Sequence, residues 1–276
     1  MNASREFEFD DRDFERIRRL LYAHAGIALN DTKRDMVYGR VARRLRATGL
    51  ASFEQYLARL EADVVEFEEF VNSLTTNLTA FFRESHHFPL LAALLEEHAR
   101  RGEVWLWSAA CSTGEEAYSM AITAVETLGA DAARRVKVLG TDLDTRAVRT
   151  AELGIYAIER LGHVDEERRK RFFLKGVGDK EGFARVRPEI RALVRFRPLN
   201  LMASEWALRG PFHAIFCRNA MIYFDRAAQR RVLERFARLL HPEGRLFAGH
   251  AESLAHSADL WASVGQSVYR PVVPGA

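Results

Sequence analysis

The first 75 or so residues carry apolar positions at helical spacing and no strand-like run. Phe14, Ile17, Leu20 and Leu21 follow the acidic start Asp10-Asp11, and Gly26 can end that helix. Met36, Val37, Val41 and Leu45 share a face of a second helix from about Thr32 to Gly49. Ser52-Phe-Glu-Gln55 has the form of a capping box for a third. Val64, Val65, Phe67, Phe70, Val71 and Leu74 mark a fourth. Helices this short rarely hold alone, so the pattern predicts a small bundle. After Leu74 the period changes. Pro89 to Arg101 reads as a helix ended by Gly102. Val104–Trp107, Val136–Gly140, Phe212–Cys217 and Gly244–Ala248 read as short buried strands. Helices over about 115–128, 144–153 and 227–240 alternate with them. That alternation predicts a parallel, doubly wound α/β sheet of Rossmann-like type.

One stretch breaks the alternation. Arg171–Lys175, Phe183–Arg187 and Leu193–Phe196 look like three short strands, joined by Gly176-Val-Gly178, Gly182 and the turn residue Pro188. They predict an inserted three-stranded antiparallel β subdomain at about 170–197. The domain reading is therefore a helical part over 1–75 and an α/β part over 76–276. The tail Pro271 to Ala276 reads as loose.

Composition narrows the class. The chain has 276 residues, 48% hydrophobic, enough for a real core. With 41 Lys plus Arg against 38 Asp plus Glu, the net charge of +3 is too even to favour nucleic acid. Two cysteines, Cys111 and Cys217, exclude a disulfide scaffold and a thiolate zinc cluster, and small buried cysteines are the expectation. The start MNASREFEFD is polar and acidic, unlike a signal peptide, and no apolar run has the length of a membrane span. The expectation is a cytoplasmic protein.

The loop Ser108-Ala-Ala-Cys-Ser-Thr-Gly114 falls between a predicted strand and a helix, and its small residues let a ligand approach the backbone. Asp142 ends the next strand. In an open α/β sheet, ligands bind beyond the carboxyl ends of the strands, and an acid there can accept hydrogen bonds from both ribose hydroxyls. The pair reads as a nucleoside site, against the alternative of a plain strand–helix turn with a capping aspartate. Neither G-x-G-x-x-G nor G-x-x-x-x-G-K-[ST] is present, which counts against a dinucleotide and a phosphate loop. Glu115-Glu116 would repel a pyrophosphate and suit a neutral or cationic ligand. S-adenosylmethionine, a nucleoside with a sulfonium and an ammonium, meets that preference.

Six ordered segments then carry a resemblance. They are Thr75–Arg83 (TTNLTAFFR), Ala110–Glu116 (ACSTGEE), Gly140–Asp144 (GTDLD), Asn200-Leu201, Phe216–Asn219 (FCRN) with Met221–Asp225 (MIYFD), and Leu246–His250 (LFAGH). Together they resemble the chemotaxis receptor methyltransferases (CheR family), across nearly the whole chain. The resemblance implies methyl transfer from S-adenosylmethionine to chemoreceptor glutamates, giving methyl esters and S-adenosylhomocysteine. It implies that Asn77, Thr79 and Arg83 contact the methionine part of the cofactor and the reaction site. Glu116 would be a cofactor contact and Asp142 the ribose ligand. Asn200 and Leu201 would lie beside the adenine, Arg218 and Asn219 would line the pocket, and Tyr223 would stand close to the transferred methyl. Two departures are Ala117, where a proline is common, and His213, where an acid is common; His213 reads as packed or exposed.

A glutamate substrate is ionised at pH 7, so no general base is required. What remains is alignment. Arg83 is assigned to fixing the substrate carboxylate and Tyr223 to its approach. The alternatives are an ion pair of Arg83 with Glu84 or Asp142, and plain packing of Tyr223. The basic helix bearing Lys33, Arg34, Arg40, Arg43, Arg44 and Arg46 reads as a solvated face or, given the resemblance, as the surface that docks the receptor's acidic helical bundle. In some relatives a β flap captures a receptor C-terminal peptide; here Gly176, Gly178 and the edge near Arg185 and Arg187 are the candidates. No metal is expected, since adjacent His86 and His87 point different ways on a helix. No nucleic acid, no membrane insertion and a monomer complete the reading. Other substrates such as RNA, a cofactor sensor without turnover and an NAD-dependent enzyme remain as rivals.

Overall fold

The computed structural model describes residues 5–272, which divide into two compact units. One unit ends at Thr76 and also takes in Tyr223–Asp225. It holds α1 (Asp11–Ala25), α2 (Arg34–Thr48), α3 (Phe53–Arg59) and α4 (Val64–Leu74). Each helix has a local cause. Asp10 and Asp13 form a reciprocal capping box on α1, and Gly26 closes it in the left-handed conformation. Ser52 caps α3 by accepting from Gln55 N–H, while the Gln55 side chain reaches Ala51 N–H, one residue before the cap. Phe14, Ile17 and Leu21 pack with Val37, Val41, Leu45, Phe53, Tyr56 and Phe70 as the core. Val64 and Val65, grouped above with the apolar face of α4, are exposed instead. Within this unit Ile27 bridges Phe224, Ala28 N–H donates to Tyr223 O at 2.9 Å, and the Tyr22 hydroxyl bonds the Asp225 carboxylate.

The basic helix α2 is largely engaged at home. Arg44 forks onto Glu66 at 2.7 and 2.9 Å, and Tyr56 Oη donates to the same carboxylate at 2.7 Å. Burial alone would raise the Glu66 carboxyl; the Arg44 fork and the Tyr56 hydroxyl outweigh it and hold it below the usual range. Arg46 pairs with Glu6 and Arg34 with Asp11, while Arg40 donates to Thr75 O at 2.6 Å. Arg43 is exposed and reaches only back along its own helix, to Gly39 O at 3.3 Å.

The other unit comprises Asn77–Ile222 and the chain from Arg226. Its elements are α5 (His87–Ala99), β1 (Val104–Ser108), α6 (Glu115–Leu128), α7 (Ala132–Arg135), β2 (Val136–Asp142), α8 (Thr145–Leu153), β3 (Ile155–Ala157), α9 (Glu166–Phe172), β4 (Phe173–Lys175), β5 (Phe183–Val186), α10 (Pro188–Arg191), β6 (Val194–Pro198), β7 (Phe212–Cys217), α11 (Arg226–Leu239), β8 (Leu240–Ala248), β9 (Trp261–Gly265) and β10 (Val268–Pro271). The main sheet runs β6-β2-β1-β7-β8-β10-β9. Its first five strands are parallel, and β10 and β9 close it as an antiparallel hairpin. Strand order reverses at β1, the switch point at which α/β sheets bind ligands. Leu91 and Leu95 of α5, with Met120 and Ala121 of α6, bury against Val104, Leu106 and Val138.

The antiparallel subdomain exists, but with one member exchanged. Its order is β3-β5-β4. The strand Leu193–Phe196, assigned above to the flap, instead belongs from Val194 onward to β6, which pairs in parallel with β2 as the edge of the main sheet, Val194 opposite Val138. Pro188 starts a helical turn, α10, which redirects the chain instead of closing a hairpin. Arg185 lies on the central strand, opposite Ile155 on one side and Leu174 on the other, so it offers no free edge to a peptide. Arg187 N–H bonds Phe172 O, and Gly176 N–H bonds Phe183 O at the β4–β5 connection, with Gly178 at positive φ. Pro271, read as tail, ends β10; residues 273–276 lie outside the described residues. No helix among the described residues is long and apolar enough to cross a membrane.

Candidate functional site

The carboxyl ends of β1, β2 and β7 bring one set of side chains together. Asp142 ends β2. Its Oδ2 accepts from Ser112 N–H at 2.7 Å and its Oδ1 from Asp144 N–H at 2.9 Å. Each oxygen keeps a lone pair, so the carboxylate is held by the backbone and still able to accept two hydroxyls. Burial pushes its pKa up to about 6, the Asp144 charge adding to the rise and the backbone N–H groups opposing it. The main chain beyond β6 closes beside it, Leu199 N–H donating to Asp142 O at 2.8 Å. Asn200 and buried Leu201 follow directly, with Asn200 Oδ1 accepting from Met202 N–H.

The loop from β1 to α6 comes close because Gly114 permits it. At φ 97° a Cβ there would stand 2.7 Å from Ala151 Cβ. The two glutamates after it are neutralised by fixed partners. Glu115 binds Arg160 and the Thr113 hydroxyl. Glu116 accepts from Ser108 Oγ on one oxygen and Arg218 Nε on the other, both at 2.6 Å. Glu116, expected as a cofactor contact, is thus first an internal anchor.

Arg218 is a buried hub. Besides Glu116 it donates to Arg83 O and faces His87 Nδ1 at 3.4 Å. His87 Nε2 lies 2.9 Å from Gln266 O, so Nε2 carries the proton and Nδ1 is the acceptor. Burial, with the Arg218 charge beside it, lowers the His87 pKa to about 4, keeping the ring neutral. Burial alone would raise the Glu84 carboxyl; the His250 hydrogen bond and the Arg218 charge hold it below the usual range.

The segment 77–83 is pinned along its length. Asn77 Nδ2 donates to Asp144 Oδ2 at 2.6 Å, Phe82 N–H to Ser119 Oγ at 2.9 Å, and Arg83 O accepts from Arg218. Thr79 sits half-buried between these points. Arg83 curls back to Leu78 O at 2.8 Å, and its carbonyl, not its guanidinium, meets the buried network. Phe82 and Glu84 on either side hold positive φ, a strained arrangement for such residues. Tyr223 falls with the helical unit, 36% exposed.

Asn219 sits at φ 58°, which turns its N–H to Glu252 Oε2 at 2.9 Å; Gly249 N–H meets the same oxygen at 2.7 Å and Ile222 N–H the other at 3.3 Å. Glu252 therefore ties the ends of β7 and β8, and burial pushes its carboxyl up. The sequence reading missed it. The available signal was an acid two residues after Gly249-His250. Cys111 and Cys217 are buried and free, and burial drives both thiols up, so neither offers a thiolate at neutral pH.

The residues fit S-adenosylmethionine. A backbone-held carboxylate at the carboxyl end of β2 has lone pairs for the two ribose hydroxyls, and small residues of the β1 loop leave room for a ligand beside it. Sheet and site together define the class of S-adenosylmethionine-dependent methyltransferases. Comparison with known proteins agrees. Residues 12–75 match the all-alpha domain of CheR methyltransferases, and residues 77–270 match their SAM binding domain. The chain is 49% identical over 270 residues to Chemotaxis protein methyltransferase 2 of Pseudomonas aeruginosa, covering 98% of this chain and 96% of that one. It is 50% identical over 273 residues to the Chemotaxis protein methyltransferase of Escherichia coli, covering 98% and 94%. A Probable chemotaxis protein methyltransferase of Rhizobium etli is 36% identical over 264 residues, covering 93% and 98%. The chain belongs to the CheR methyltransferase family.

Proposed function

We propose that this protein methylates glutamate side chains on the cytoplasmic helical bundle of chemoreceptors, forming methyl esters and S-adenosylhomocysteine in sensory adaptation. The observation that carries the reading is the near-complete match to chemotaxis methyltransferases, supported by the Asp142 carboxylate held on the backbone N–H groups of Ser112 and Asp144 at the carboxyl end of β2. Bound S-adenosylmethionine supplies an electrophilic methyl on a sulfonium. The chain's own part is alignment and water exclusion, because the glutamate nucleophile is already ionised.

Arg83 is proposed to hold the receptor carboxylate, on a main chain that Arg218 fixes. Replacing it with alanine should lower kcat/KM for receptor on the order of a hundredfold, the scale of a misplaced reactant. Steady-state kinetics at saturating cofactor read this; unchanged turnover removes the role. The docking role proposed for α2 falls on Arg43 and on Arg46, whose surface pair with Glu6 opens at little cost, since Arg44 is held by buried Glu66. Arg43→Glu should slow methylation several-fold at low ionic strength and less at high, because steering of an acidic bundle is screened by salt. A rate indifferent to both the substitution and salt excludes that surface. The function itself is tested by peptide mass spectrometry of receptor incubated with enzyme and cofactor. The expected result is the mass of one methylene added at glutamates; methyl groups found only on other residues overturn it.

A further inference from the structure

A second cluster lies at the opposite end of the sheet, where β7 and β8 begin. His98 near the end of α5, His213 on β7 and His241 on β8 place their ring centroids 4.8 to 5.3 Å apart. Glu243 follows on the same strand. Donor atoms of His98, His241 and Glu243 lie within 4.8 Å of one another. His98 comes from α5, while His241 and Glu243 both come from β8, and none of the three belongs to the cluster around Asp142.

The three rings are not equivalent. A neutral imidazole has one nitrogen lone pair. In His213 that lone pair, on Nδ1, accepts from Trp105 N–H at 3.1 Å, so His213 is spent as a ligand. Its ring instead stacks on His241 at an interplanar angle of 14° and fixes that ring's plane. The His241 Nδ1 lone pair accepts only a local bond from Glu243 N–H at 3.1 Å, which an ion can replace. His98 is 4% exposed and completes the cluster from the α5 side. Glu243 is exposed and shared with Arg101, itself 59% exposed and also near Glu97. A surface pair of that kind gives way at little cost.

We propose that His98, His241 and Glu243 form a binding site for a divalent transition metal of the zinc class, with water completing a tetrahedron. Two imidazole nitrogens and a carboxylate oxygen are a donor set that such ions prefer over calcium or magnesium. Around zinc the donors would draw in to roughly 3.3 Å apart, within the reach of side-chain rotations at half-buried His241 and exposed Glu243. A bound ion would clamp the end of α5 to the start of β8. The competing cluster of Glu84, His86 and His87 is less suited, because the His87 lone pair faces the Arg218 guanidinium, which would repel a cation.

The test uses the full chain, free of any affinity tag and stripped with chelator. Zinc is titrated by calorimetry and cobalt by visible absorption. The expected result is one ion per chain, with affinity reduced at least tenfold in both His241→Ala and Glu243→Gln and unchanged in His86→Ala. At zinc a hundredfold above Kd, Tm should rise by about 5–10 °C. Methyl transfer need not change in His241→Ala, so the readout is separate from activity. Absence of saturable binding overturns the site. So does binding that survives both His241→Ala and Glu243→Gln, or that is lost only in His86→Ala.

Discussion

Asp142→Asn weakens cofactor binding by roughly 30- to 150-fold, the loss of about 2–3 kcal/mol when the two charge-assisted hydrogen bonds proposed to the ribose become neutral ones or are lost. The amide keeps one acceptor oxygen and presents donors where Ser112 or Asp144 N–H must be met, so it also disturbs the backbone cradle. Titration with S-adenosylhomocysteine reads the change directly. The same group gives the site a pH dependence. Its folded pKa of about 6 lies above the ordinary value for aspartate. The carboxylate proposed to accept the ribose hydroxyls is therefore present above pH 6 and lost as pH falls through it. Wild-type affinity should drop about tenfold between pH 7.5 and 5 from this group, and the pH dependence should flatten in Asp142→Asn. The stability sign is opposite. Between roughly pH 4 and 6 the folded state holds more protons at Asp142 than the unfolded one, so this group favours folding at the acid end and opposes it above pH 6. An affinity that is the same at both pH values, with Asp142→Asn binding like wild type, would remove the ribose role.

Arg218→Met has the largest expected effect on stability. It leaves Glu116 buried without its guanidinium and removes a counter-charge 3.9 Å from Glu84, one of whose carboxylate oxygens already lacks a hydrogen-bond partner. Breaking a buried pair from one side costs about 3–5 kcal/mol, which for a unit of this size lowers Tm by roughly 6–20 °C. Arg218→Lys should recover only part, because one ammonium cannot span Glu116, Arg83 O and His87 as the fork does. Thermal melts of the three proteins decide it. A methionine variant that melts with wild type would show that the hub contributes little.

The elements that were legible in the sequence are those whose cause is local. α1 and α3 have caps within four residues of an apolar period. The strands β1, β2 and β7 are apolar runs bounded by turn residues. Strands defined by their partners were harder to read. β3 is three residues after a helix-ending glycine, indistinguishable from a turn until it pairs with β5. β6 alternates arginines with apolar residues, a pattern that an edge strand of the main sheet and a flap strand share. The β9–β10 hairpin was missed because its two-residue turn is Gln266-Ser267, both at positive φ, where asparagine and glycine are the usual signal.

The site divides in the same way. Asp142 and the β1 loop follow from position in an alternating sheet. The Arg218–Glu116 pair spans 102 residues and the Glu252 tie spans 33, so nothing local announces them. Of the proposed metal ligands, only His241 and Glu243 are neighbours in sequence and His98 is remote from both, so a search for neighbouring histidines leads to His86-His87 instead.

The most direct measurement is a transfer assay with S-adenosylmethionine labelled in the methyl group and membranes containing chemoreceptor, followed by mild base. The account predicts receptor-bound label released as methanol by base, and cut by roughly 30- to 150-fold with Asp142→Asn at low cofactor concentration. Label that stays on the receptor after base, or that enters nucleic acid instead, would contradict a glutamate methyl ester as the product.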